Sequence, residues 1–212
     1  MLRTLIRPPL VPSEKPPVLV MMHGFGANER DLFGLSPGLD PRLCIVFPQA
    51  PRECDFGGFA WFDLRWDADG VHAEAEQMLE ARDIVLETID ELPSELGFQP
   101  SQLFVGGFSQ GAMMSLGVAW SIPERLSGVM MLSGRLVPDF LVGEAPTKFG
   151  ELPFLVQHGI LDNVLPVAGA REAETYLEGK GCPLTYFEYS MGHEISRESL
   201  SDARDWIEDL IG

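Results

Sequence analysis

The sequence predicts an α/β fold built on a mostly parallel central sheet with helices on both faces. Short apolar, β-branched runs alternate with longer segments of helical period, the pattern of strands joined by crossover helices. The runs are apolar nearly throughout, which suits strands covered on both sides. No internal repeat or low-complexity linker interrupts them, so the 212 residues read as one domain spanning 1–212.

Taken in order, strands are expected at 17–22, 43–47, 102–106, 128–132, 153–157 and 184–189, with an edge strand near 2–7. Between the second and third long runs, residues 74–92 place Met78, Val85, Ile89 and Leu92 at spacings of three, four and seven, an amphipathic helix lying on the sheet. A second helix opens after Ser109 and ends before Pro123. The last segment repeats the rhythm with Leu200, Trp206, Ile207, Leu210 and Ile211, and Ser199 or Ser201 is the expected N-cap.

Composition narrows the function. Hydrophobic residues make up 45% and charged residues 22%, near the globular average, which excludes a disordered or fibrous chain. Fifteen Lys and Arg face 32 Asp and Glu, a net charge of −17 that repels phosphate backbones and anionic headgroups. Nucleic acid and stable membrane association are therefore not expected partners. Cys44, Cys54 and Cys182 cannot all pair and have no zinc-ligand spacing, so they read as free thiols in a reducing compartment. No stretch approaches the roughly 20 apolar residues of a membrane span, and a cytoplasmic location is expected.

The pattern Gly-x-Ser-x-Gly occurs twice, around Ser36 and around Ser109. A nucleophile elbow needs a strand leading in, a tight turn and a helix leading out, with the next residue's N–H aimed at the developing oxyanion. Ser36 fails: Pro37 has no N–H, no apolar run precedes it, and Asp40-Pro41 blocks a following helix, so Ser36 reads as a loop serine. Ser109 follows the strand at 102–106 and opens a helix, and Gly107 and Gly111 permit the strained turn.

A serine hydroxyl needs a base and a carboxylate to orient it. In α/β-hydrolases the order along the chain is Ser, then Asp or Glu, then His. After Ser109 the candidate bases are His158, at the end of a strand run and better read as structural, and His193, on the loop following the last strand run. Asp162 stands on the matching loop after 153–157. Both loops lie at carboxyl ends of strands, where open α/β sheets carry their sites. The glycine-rich turn His23-Gly24-Phe25-Gly26-Ala27-Asn28 suits the remaining part, an oxyanion hole, and fails as a dinucleotide fingerprint because Glu29 replaces the third glycine.

These residues together resemble the phospholipase/carboxylesterase family of small α/β-hydrolases, which includes carboxylesterases and acyl-protein thioesterases. The resemblance runs from His23-Gly24-Phe25-Gly26 through Pro48-Gln49-Ala50-Pro51, Trp61-Phe62-Asp63, Gly106-Gly107-Phe108-Ser109-Gln110-Gly111-Ala112, His158-Gly159 with Asp162 and Val164-Leu165-Pro166, to Gly192-His193. It implies Ser109 as nucleophile, Asp162 as orienting acid, His193 as general base and acid, and the backbone N–H groups of Phe25 and Gln110 as oxyanion donors. It also implies that Trp61, Phe62 and Leu165 border the substrate pocket.

The expected reaction is hydrolysis of small to medium carboxylic esters through an acyl-enzyme, by a monomer or homodimer that requires no metal or organic cofactor. The alternatives are an acyl-protein thioesterase or lysophospholipase acting on longer chains and, remotely, a non-catalytic ligand binder. Because the base must be neutral, activity should rise with pH. Only about twenty residues separate Ser133 from the next strand run, too few for a folded cap domain.

Overall fold

A computed structural model describes residues 2–67 and 70–212. In chain order the elements are β1 (Thr4–Arg7), β2 (Val18–Met22), β3 (Cys44–Pro48), β4 (Arg52–Glu53), β5 (Phe59–Ala60), β6 (Leu64–Asp67), β7 (Gly70–Ala73), α1 (Ala75–Leu96), β8 (Leu103–Phe108), α2 (Gln110–Ser121), β9 (Gly128–Leu132), β10 (Phe154–Gly159), α3 (Ala168–Gly179), β11 (Leu184–Tyr189) and α4 (Arg197–Ile211). The main sheet has seven strands in the order β1-β3-β2-β8-β9-β10-β11. Every neighbouring pair is parallel except β1 with β3. This is the α/β-hydrolase architecture expected from the sequence.

The pleat sends successive side chains to opposite faces and so divides the core in two. Val18, Val20 and Met22 of β2 point to the face covered by α1, α2 and α3, where they meet Val85, Leu116 and Ala170. Leu19 and Met21 point the other way, into a second cluster closed by Ala203 and Ile207 of α4. Both clusters draw residues from β3, β8, β9 and β10 as well, which explains why these strands read as unbroken apolar runs.

Several boundaries differ from expectation. The first long helix runs on to Leu96 through Pro93 and stops at Gly97, whose φ of 75° supplies the left-handed cap. Pro93 sits in the last turn, where losing one N–H removes a single intrahelical bond. The N-cap of α4 is Ser196, not Ser199 or Ser201: its backbone is extended and its Oγ accepts from the Ser199 N–H at 3.1 Å, which places Ser199 inside the first turn. Ser36 lies in a 3₁₀ turn over Leu32–Gly38, buried beside the sheet, and not in an open loop. The small hairpins β4–β5 and β6–β7 and helix α3 are additional elements. Residues 134–153 hold only two 3₁₀ turns, Pro138–Phe140 and Phe149–Glu151, so no cap domain intervenes between β9 and β10.

Candidate active site

The parallel strands end on one side of the sheet, and their following loops carry the chemistry. Ser109 sits at the turn from β8 into α2 with φ 56° and ψ −115°, a conformation that strains any residue with a side chain. The turn is held by its neighbours. The Ser109 N–H donates to the Leu132 carbonyl at 2.9 Å, and a Cβ at Gly111 would collide with the carbonyl oxygen of Met22 at the end of β2. Only glycine lets α2 start that close to the neighbouring strand.

Asp162 and His193 arrive from the ends of β10 and β11. A Cβ at Gly159 would run into the carbonyl oxygens of Met191 and Gly192, so the glycine closing β10 lets the histidine loop lie directly against it. The Leu161 N–H donates to the Met191 carbonyl at 3.1 Å and ties the two loops together. His193 Nδ1 is then 2.7 Å from Asp162 Oδ2, and Nε2 is 2.8 Å from Ser109 Oγ. Phe108 stacks at a tilt on the imidazole with ring centroids 4.8 Å apart.

Electrostatics select the tautomer. Burial alone would push the Asp162 carboxyl up, but the hydrogen bond from His193 and those from the Leu165 and Val164 amides, both at 2.8 Å, hold it below the usual carboxylate range. An ionised carboxylate only accepts, so the neutral imidazole carries its proton on Nδ1 and turns the lone pair of Nε2 toward the serine hydroxyl. The arrangement can remove a proton from Ser109 Oγ and return it to a leaving group.

The loop after β2 is fixed by a second histidine. The Ala50 N–H donates to His23 Nε2 at 3.0 Å, so Nδ1 bears the proton and donates to the Gly24 carbonyl at 2.7 Å. Burial lowers the His23 pKa despite the opposing pull of the Gly24 hydrogen bond and of Asp31 and Glu29, and the ring stays neutral. Trp61 Nε1 donates to the His23 carbonyl at 2.8 Å. The Gln110 side chain completes the frame, accepting from the Trp61 N–H at 2.9 Å and donating to the Phe62 carbonyl at 2.7 Å. Its backbone N–H belongs to the first turn of α2, where no intrahelical acceptor exists.

A cavity of about 200 Å³ opens over Ser109, Gln110 and His193. Of the residues expected at the pocket, Phe62 and Leu165 line it, as does Phe25 from the loop after β2. Trp61 does not: it is fully buried behind that wall, and its contribution is the hydrogen bond to His23. Met78 of α1, Met113 of α2 and Leu64 with Ala73 of the β6–β7 hairpin form further walls absent from the sequence reading. Arg135 was missed as well, although its position just past the carboxyl end of β9 was a usable signal.

A family model for phospholipase/carboxylesterase matches residues 10–211. The chain belongs to the phospholipase/carboxylesterase family. An acyl-protein thioesterase 1 of Eremothecium gossypii is 30% identical over 202 residues, covering 89% of this chain and 85% of that protein. A probable carboxylesterase of Oryza sativa subsp. japonica is 30% identical over 170 residues, 77% of this chain and 64% of its own length. The crystal structure of esterase PE8 superimposes with a TM-score of 0.85 at 28% identity, covering 99% of each chain. Membership in this phospholipase/carboxylesterase group makes the protein a hydrolase of the serine type. No helix among its described residues is long and apolar enough to cross a membrane.

Proposed function

We propose that this enzyme is a serine carboxylesterase acting on small to medium carboxylic esters. The observation that carries the reading is the unbroken chain Asp162–His193–Ser109, with contacts of 2.7 and 2.8 Å, ending at a strained elbow on the floor of a small apolar cavity. In this reading His193 takes the Ser109 proton as Oγ attacks the ester carbonyl, and the backbone N–H groups of Phe25 and Gln110 receive the oxyanion. The tetrahedral adduct collapses as the imidazolium protonates the departing alcohol. Water, deprotonated by the same imidazole, then releases the acid and restores Ser109.

The cavity volume supports the size class. Phe25, Phe62, Leu165 and Met113 close around about 200 Å³ beside Ser109, walls that suit a short acyl or alcohol group. The free thiols, Cys44 and Cys182 buried and Cys54 half-buried, suit action in a reducing, cytoplasmic setting.

A thioesterase reading is favoured by the name of the Eremothecium gossypii relative. Hydrolysis of p-nitrophenyl esters of increasing acyl length, set against a palmitoyl thioester, separates the two. We expect kcat/KM to peak at short chains; a maximum at the palmitoyl thioester overturns the esterase reading.

A further inference from the structure

One charged side chain in the cavity has no part in the triad or the oxyanion hole. Arg135 lines the cavity with Ser109 and His193, half-buried among Val137, Leu165 and Met113. It forms no hydrogen bond or ion pair with any described residue. That isolation stands out in a chain where Asp and Glu outnumber Lys and Arg 32 to 15. Arg42, Arg125 and Arg171, by contrast, each hold a carboxylate within 2.7 Å.

Its placement is built and not incidental. Ser109 and Ser133 are the two non-glycine residues with positive φ among the described residues, and both close adjacent strands at the site. Ser133, at φ 50°, donates through Oγ to the carbonyl of Glu194, next to His193. Gly134 then passes α2 so closely that a Cβ would lie 2.5 Å from that of Ala112. The next residue, Arg135, rests over Gly169, where a Cβ would lie 2.8 Å from its own. The strained turn therefore locks the backbone that carries Arg135 to the backbone that carries the triad.

We propose that Arg135 is a specificity-determining residue that recognises a carboxylate on the ester substrate, a few bonds from the scissile carbonyl. This rests on the esterase reading and sharpens its substrate class to monoesters of dicarboxylic acids or esters of carboxylated alcohols. A guanidinium is permanently charged, presents a planar fork of donors that matches a carboxylate, and is partly dehydrated by the apolar walls beside it. The cavity is small enough for one short molecule to reach both Arg135 and Ser109. The carboxylate does not react; it fixes the ester over Oγ.

The test compares each carboxylate with its isosteric carboxamide in two arms. The acyl arm uses the phenyl monoester of glutaric acid against the phenyl ester of glutaramic acid, and the alcohol arm uses para-acetoxybenzoate against para-acetoxybenzamide. In one arm the carboxylate should be preferred by roughly tenfold or more in kcat/KM. Arg135→Gln should remove that preference and Arg135→Lys should keep part of it. Equal or better hydrolysis of the amides in both arms, or a preference that survives Arg135→Gln, overturns the proposal. If the native protein turns over none of these esters, the esterase reading has failed, and calorimetric titration with glutarate decides Arg135 separately. Binding that weakens by roughly tenfold in Arg135→Gln upholds the site, and equal affinity or no binding to the native protein removes it.

Discussion

His158 Nε2 lies 3.3 Å from Asp162 Oδ2, the same carboxylate oxygen that His193 Nδ1 engages at 2.7 Å. Fully buried at the end of β10, His158 also donates from Nε2 to the Leu165 carbonyl at 2.7 Å. The loop it holds is the one whose Val164 and Leu165 amides cap the other oxygen of Asp162. His158 is a positioning residue. His158→Ala should lower kcat by about tenfold to a hundredfold through misplacement of the carboxylate. It should also cost about 1–3 kcal/mol of stability for the unpaired Leu165 carbonyl, before any cavity penalty. Steady-state kinetics beside denaturant titration check both, and an unchanged kcat in a folded variant removes the role.

The strained elbow makes activity and stability oppose one another at a single position. Ser109 holds φ 56° against the preference of every residue with a Cβ. Ser109→Gly removes the proposed nucleophile and should abolish the proposed esterase turnover, by roughly 10³-fold or more. Relief of strain, less the extra chain entropy of glycine, should raise stability by about 1 kcal/mol. Ser109→Ala should lose activity equally and gain no such stability, because its Cβ keeps the strain. Melting temperatures of the three proteins, compared directly, decide the point.

Acid sensitivity should arise at His23 before it arises at the triad carboxylate. The His23 pKa is lowered from its ordinary 6.5 because burial strips the charged ring of water, and Nε2 is already accepting from the Ala50 amide. As pH falls below about 6.5 the unfolded chain binds a proton there and the folded protein does not, so stability declines until the folded pKa is reached. The slope from this one group cannot exceed about 1.4 kcal/mol per pH unit. Asp162 has the opposite sign of charge and the same direction of shift. The stability it contributes is complete above its unfolded pKa and is lost only as pH drops through the lower folded value. Urea titrations of the native protein and His23→Asn between pH 7 and pH 5 should show the slope only in the native protein; parallel curves count against His23.

Residues close in sequence or aligned with strand ends were legible before any coordinates. The five inner strands show as apolar runs because both sheet faces are covered, and Ser109, Asp162 and His193 stand on the turn and loops that follow β8, β10 and β11. Trp61 and Gln110 were legible only in part. Their side-chain roles depend on a meeting of a loop and a helix 49 residues apart, which no local pattern encodes. The N-cap of α4 was misplaced for a related reason: serines at 196, 199 and 201 are equivalent by type, and only the extended backbone at Ser196 singles one out. Arg135 carries only the positional signal of a strand end, and its meaning comes from the absence of a side-chain partner among the described residues.

Gln110 couples the two halves of the proposed oxyanion hole through its side chain, which distinguishes it from a residue that supplies only a backbone amide. Its amide spans the buried Trp61 N–H and Phe62 carbonyl, and Trp61 in turn holds the His23 carbonyl. Removing it in Gln110→Ala leaves two buried backbone groups unpaired at about 1–3 kcal/mol each. The backbone N–H at 110 remains, so the loss in kcat/KM reports only the loosened Phe25 and Phe62 wall, and roughly tenfold to a hundredfold is expected. Gln110→Glu keeps the acceptor toward Trp61 and loses the donor toward Phe62, setting a carboxylate oxygen against a carbonyl. It should therefore be no more active than the alanine variant at neutral pH and, relative to the native protein at the same pH, should recover as the carboxyl is protonated in mild acid. Kinetics of both variants across that range provide the check, and a glutamate variant with native activity at neutral pH would show that the clamp does not hold the wall.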